Sequence, residues 1–145
     1  MSSVNITIDT NVLIGALKSN KGASYKLLML LTEGLFITNV SVPLFIEYES
    51  VAKRAGLVSN LTEKDIEIIL NYFLSKSNIH EIFYLWRPLL KDQKDDLVLE
   101  VAVKSQSKYI ITFNKKDFKG SEKFGIEVLT PFEFLKVRGL LSWVH

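Results

Sequence analysis

The stretch NITIDTNVLI, residues 5–14, decides the fold. Ile6 and Ile8 are β-branched and flank Thr7, so the segment opens as a strand. Asp9 ends it, Thr10 and Asn11 follow, and a second apolar run begins at Val12-Leu13-Ile14. A carboxylate between two apolar runs is costly to bury unpaired, so Asp9 calls for a cation, a hydrogen-bond donor or a metal. A strand that ends in an acid and turns at once into an apolar segment suits an open α/β sheet, whose sites lie at the carboxyl edge.

The rest of the chain alternates in the same way. LIGAL starts a helix that SNKG (19–22) breaks, and ASYKLLMLLTE (23–33) reads as a helix closed by Gly34. LFITNV (35–40) is a short strand. Ser41 as N-cap and Pro43 in the first turn place a helix over about 43–55, ended by Gly56. Thr62 caps a helix running to about Ser75 with Ile66, Ile69, Leu70 and Phe73 at helical spacing. HEIFYLW (80–86) is the third strand expected, and KDQKDD (91–96) leads into a helix with Leu97, Val98, Val101 and Ala102 on its apolar face. YIITF (109–113) is apolar almost throughout, as in a strand covered on both sides. GIEVLT (125–130) is a last strand, and Thr130-Pro131 opens a closing helix. Strands alternating with helices predict an α/β fold with a central, mainly parallel sheet and helices on both sides. All 145 residues read as a single domain, without repeat, linker or low-complexity tract.

Composition narrows the chemistry. The hydrophobic fraction of 48% and charged fraction of 23% are those of a globular protein, and the net charge of +2 leans only slightly toward an anionic partner. The chain has no cysteine, which excludes disulfides and thiolate zinc sites. Its two histidines, His80 and His145, are too few for a histidine-ligated zinc centre. No Ser-His-Asp set, Cys-His set or glycine-rich phosphate loop is present. The amino terminus lacks the pattern of a signal peptide and no apolar run is long enough to span a bilayer, so a cytoplasmic, membrane-free protein is expected.

The acids are distributed with more pattern than the rest. Asp9 follows the first strand, Glu47 lies one turn into a helix, Asp92, Asp95 and Asp96 lead into another, and Asn114 and Asp117 follow strand 109–113. In a parallel sheet the strand carboxyl ends and the next helix amino ends share one edge, so Asp9, Asp96 and the Asn114–Asp117 turn are expected there together. Converging carboxylates repel, and a hard divalent cation, Mg²⁺ or Mn²⁺, is the natural neutraliser. Each residue has an ordinary role too. Asp9 suits a turn or N-cap, Glu47 can pair with Lys53 or Arg54, and acids favour helix amino ends. Three acids before one helix exceed what capping needs.

Taken together, IDTNVLIGAL, SVPLFIEYESV, KDDLVLEVAV, YIITFNKKDF and IEVLTPFEFL resemble the PIN-domain family, and within it the VapC-like toxins of toxin–antitoxin systems, over nearly the whole chain. The resemblance implies an α/β/α sandwich and a metal-dependent endoribonuclease, often dimeric and often held inactive by a small antitoxin. Asp9, Glu47, Asp96 and Asp117 match the catalytic acids, with Asp9, Asp96 and Asp117 as ligands of Mg²⁺ or Mn²⁺. Asp95 competes with Asp96 for the third position. Asn11 and Thr112 match supporting positions, and Asn114 stands where many relatives carry an aspartate. Lys53, Arg54, Lys115 and Lys116 are candidate contacts to the RNA backbone. Two other readings are open: a non-catalytic PIN-like module that binds RNA or protein, and a phosphoacceptor receiver domain, whose paired acids and strand-end lysine are missing here.

Overall fold

The computed structural model describes residues 3–54, 56–82 and 93–142. Among these residues five strands form one sheet: β1 (Asn5–Ile8), β2 (Ile37–Ser41), β3 (Asn78–His80), β4 (Tyr109–Ile111) and β5 (Glu127–Leu129). Their order is β3-β2-β1-β4-β5 and every pairing is parallel. Among the described residues six α-helices accompany them: α1 (Thr10–Lys18), α2 (Ala23–Met29), α3 (Val42–Ala52), α4 (Glu63–Ser75), α5 (Gln93–Lys104) and α6 (Pro131–Val137). This is the α/β/α arrangement expected, with α5 lying across β1, β2 and β4.

Local chemistry sets most boundaries. Ser41 Oγ accepts from the Leu44 amide (3.2 Å) and caps α3. Thr62 and Thr130 each build a reciprocal capping box, with Asp65 and Glu133. Helix α2 tightens into a 3₁₀ turn, Leu30–Glu33, and Gly34 ends it in the left-handed region at φ 71°. Ile6, Ile110 and Ile111 are fully buried, as parallel central strands require.

The third strand meets the expected 80–86 only at His80, and 81–82 lie beyond its end. It runs over Asn78–His80, paired with Asn39–Ser41 of β2, while 83–86 lie outside the described residues, as does Asp92. A polar contact holds this register: His80 Nε2 donates to Asn39 Oδ1 (2.8 Å), and the Asn39 amide nitrogen donates to the Ile6 carbonyl of β1 (3.1 Å). Hydrophobic patterning points to the apolar run instead, because an edge strand needs no continuous apolar face. Among the described residues no helix is long and apolar enough to cross a membrane.

Phe134 of α6 meets Phe36 and Tyr109 edge-to-face, with centroids 5.6 and 5.5 Å apart, and is fully buried. Phe134→Ala is expected to cost about 3–5 kcal/mol of stability, measured by urea unfolding.

Candidate functional site

Strand order runs outward from β1 to β2 and β3, then returns to β1 for β4 and β5. The reversal leaves a crevice between the carboxyl ends of β1 and β4, the place where open α/β sheets hold ligands. A cleft of about 580 Å³ opens there. Five parts of the chain line it: Asp9 and Asn11 from the β1–α1 junction, Glu47 and Arg54 from α3 and the turn after it, Lys94 and Asp95 from α5, Phe113 and Asn114 after β4, and Asp117 from the 3₁₀ turn Lys115–Phe118.

Asp9 is the most buried of the acids that line the cleft, 8% exposed, and it caps α1. Its Oδ1 accepts from the Thr10 amide (2.8 Å) and its Oδ2 from the Thr112 hydroxyl (2.7 Å). The Thr112 oxygen accepts in turn from the Asn114 amide (3.0 Å), which fixes the hydroxyl proton toward Asp9. Burial pushes the Asp9 carboxyl above its ordinary range. The donors Thr112 and Thr10 pull it partly back, and the charges of Asp117 and Glu47 push it up again.

Glu47 is brought to this acid by its neighbour. Tyr48 is fully buried, and its hydroxyl donates to the carbonyl of Ile8, the residue before Asp9. Phe73 of α4 backs the Tyr48 ring edge-to-face at 5.8 Å. Burial, then the nearby Asp9 charge, raises the phenol well above its usual range, so it remains a donor at physiological pH. Helix α3 is thereby pinned to the end of β1.

The structure separates the two competing aspartates. Asp95 is partly exposed and lines the cleft, whereas Asp96 is 1% exposed and is not part of the lining. Adjacent helical residues point about 100° apart, so one of the pair faces the crevice and the other the interior. Asp95 is therefore the member of the pair that borders the cleft, while Asp96, the expected third acid, is buried beside it.

The cations are also rearranged. Of Lys53, Arg54, Lys115 and Lys116, only Arg54 lines the cleft. Lys53 is held between Glu49 and Glu67, and Lys115 pairs with Glu133 at 2.9 Å. Lys116 is exposed outside the lining. Lys18 and Lys94 also line the cleft. Lys18 was legible: Asn11, Gly15 and Lys18 share one face of α1, as Glu47, Val51 and Arg54 do on α3. Tyr48 carried no local signal, since its partner is a backbone carbonyl 40 residues away.

Among the described residues no three Asp, Glu, His or Cys side chains converge closely enough to enclose a metal ion. The acids ring an open cleft instead, an arrangement that suits Mg²⁺ or Mn²⁺ held by few carboxylates with water completing the shell.

A PIN-domain family profile matches residues 5–116. The chain belongs to the PIN-domain family. Among solved structures, this PIN domain is similar to a chain of VapBC2 from Rickettsia felis, a complex determined with a DNA fragment from their promoter. The TM-score is 0.60 at 17% identity, covering 86% of this chain and 98% of that one, and the likeness is one of fold. No curated protein matches the sequence at a significant level.

Because folding raises the Asp9 pKa, the PIN domain without metal is destabilised by this carboxylate at neutral pH. The penalty is full above the raised value and is relieved as pH falls toward the unfolded one. Asp9→Asn, which keeps a capping oxygen, is expected to raise the thermal midpoint in EDTA at pH 7, with the gain shrinking toward pH 4. Tyr48→Phe is expected to lose about 1–3 kcal/mol by leaving the Ile8 carbonyl short of a donor, measured by urea unfolding.

Proposed function

We propose that this PIN domain is a metal-dependent endoribonuclease and the toxin of a toxin–antitoxin pair. The observation that carries the reading is the burial of Asp9 at the sheet's switch point within the fields of Glu47 and Asp117. A buried carboxylate facing other carboxylates is stabilised by a cation far more than by solvent.

Under this reading Asp9, Asp95 and Asp117 would hold Mg²⁺ or Mn²⁺, directly or through water. When bound, the ion lends positive charge to the phosphate oxygens and makes water more acidic. Thr112 and the Thr10 amide keep both Asp9 oxygens oriented toward the cleft. Glu47 orients the attacking water and accepts its proton, as an oxygen–phosphorus bond forms in line with the departing ribose oxygen. Asn114 contributes hydrogen bonding without charge, which leaves the third and fourth carboxylates to Asp95 and Asp117. Arg54, Lys18 and Lys94 face the strand's phosphates.

The partners under the same reading are RNA, a small antitoxin and a second copy of the chain. An apolar groove of about 760 Å³ between α1–α2 and α4 supports a protein partner, because Met29, Ile68 and Tyr72 present exposed apolar surface there. The likeness to the VapBC2 complex is consistent with that assignment.

The decisive experiment incubates purified protein with an RNA carrying single-stranded loops, with Mn²⁺ and with EDTA. Cleavage is expected with the metal and none with the chelator; cleavage that ignores EDTA would exclude the mechanism, and failure to cleave any RNA would favour a binding module. Asp9→Asn, Glu47→Gln and Asp95→Asn are each expected to lower the rate by about 10²-fold or more. Asp96→Asn is expected to retain more activity than Asp95→Asn, and the reverse order would restore Asp96 as the third acid.

A further inference from the structure

An aromatic ring stands among the carboxylates and cations of the cleft. The four residues from Tyr109 to Thr112 are buried, but Phe113, next in sequence, is 48% exposed. Its ring is nonetheless seated. A Cβ added at Gly15 would stand 3.2 Å from Cε2 and 3.7 Å from Cζ, so the ring lies against the bare backbone of α1. The Phe113 amide also donates to Asn11 Oδ1, at 3.5 Å. Glycine at position 15 thus permits an approach that a side chain would crowd. The exposed part of the ring belongs to the lining that holds Asp9, Asn114, Lys18 and Arg54.

Apolar aromatic surface left in water is recovered only when something covers it. What enters this cleft, on the reading given above, is a strand of RNA, and this inference rests on that reading. An aromatic face beside cations is the combination that binds single strands: the cations follow the phosphates, and the ring takes a base. We propose that Phe113 is a stacking platform for one unpaired nucleobase flanking the phosphate at Asp9. A base inside a helix already has neighbours on both faces, so the platform selects a loop, a bulge or a single-stranded end. Because every base presents a π-face, stacking fixes the position of the strand with little preference for base identity.

The test pairs the ring with the base. Short single-stranded RNAs are cleaved by the Mn²⁺-loaded protein, with each nucleotide near the cleaved bond replaced in turn by an abasic one. Phe113→Ala is expected to raise KM about 5- to 100-fold with a smaller change in kcat, and Phe113→Trp to restore it. One abasic position should reproduce that loss in the parent and add nothing in Phe113→Ala. An unchanged KM in Phe113→Ala, or an abasic penalty that persists in full in that variant, overturns the proposal. If the parent cleaves no RNA, the nuclease reading has failed separately, and stacking is decided in EDTA. There, quenching of Phe113→Trp fluorescence beyond that of the parent by an intact oligonucleotide, but not by its abasic counterpart, supports the platform. Equal or absent quenching, as for a ring that instead seats a protein partner, overturns it.

Discussion

The hydrogen bond from Thr112 to Asp9 joins residues 103 positions apart, and the cleft exists because the chain brings them together. It closes across the gap where the strand order reverses, between β1 and β4. Any sheet order that parted those two strands would leave Asp9 buried with one donor fewer and no crevice beside it. The parallel pairing is equally necessary, since it puts both carboxyl ends on one edge. The remaining members of the site need less. Glu47, Asp95 and Asp117 arrive from helices and a turn that border the same opening.

Two duties meet in Asp9. As N-cap it stabilises the first turn of α1, and as a cleft acid it carries a charge that its surroundings resist. The fold accepts that conflict because the surrounding parts are rigidly held. Thr112 is buried and its hydroxyl is committed at both ends. Tyr48 ties α3 to the end of β1, and Phe73 fills the space behind its ring. A strained group thus sits in a frame of well-packed ones, a division common where a site is built at some cost to stability.

Much of this was legible in the residues themselves. The β1–α1 junction, the capping of α3, α4 and α6 and the doubly covered β4 all follow from local chemistry. The place of the third strand does not, because its register depends on Asn39 meeting His80, a contact that no pattern along the chain announces. Asp95 and Asp96 share composition, spacing and helix, and differ only in the direction each side chain leaves α5. That direction is set by the packing of α5 across β1, β2 and β4. The ion pairs of the expected cations were hidden for a related reason. Lys53 and Lys115 look available in the sequence, but carboxylates brought up by folding, Glu67 and Glu133, engage them.

Those ion pairs have a consequence for how the cleft meets a polyanion. With Lys53 and Lys115 occupied as struts, Lys18, Arg54 and Lys94 are the cations of its lining among the described residues. Under the proposed nuclease reading, an RNA strand held by these three side chains would shed few counterions, and its affinity would vary only gently with ionic strength, the logarithmic slope being about 0.7 per phosphate neutralised. On that reading long-range attraction would contribute little to the choice of target, and discrimination would pass to the contours of the opening and to what can be fitted within it.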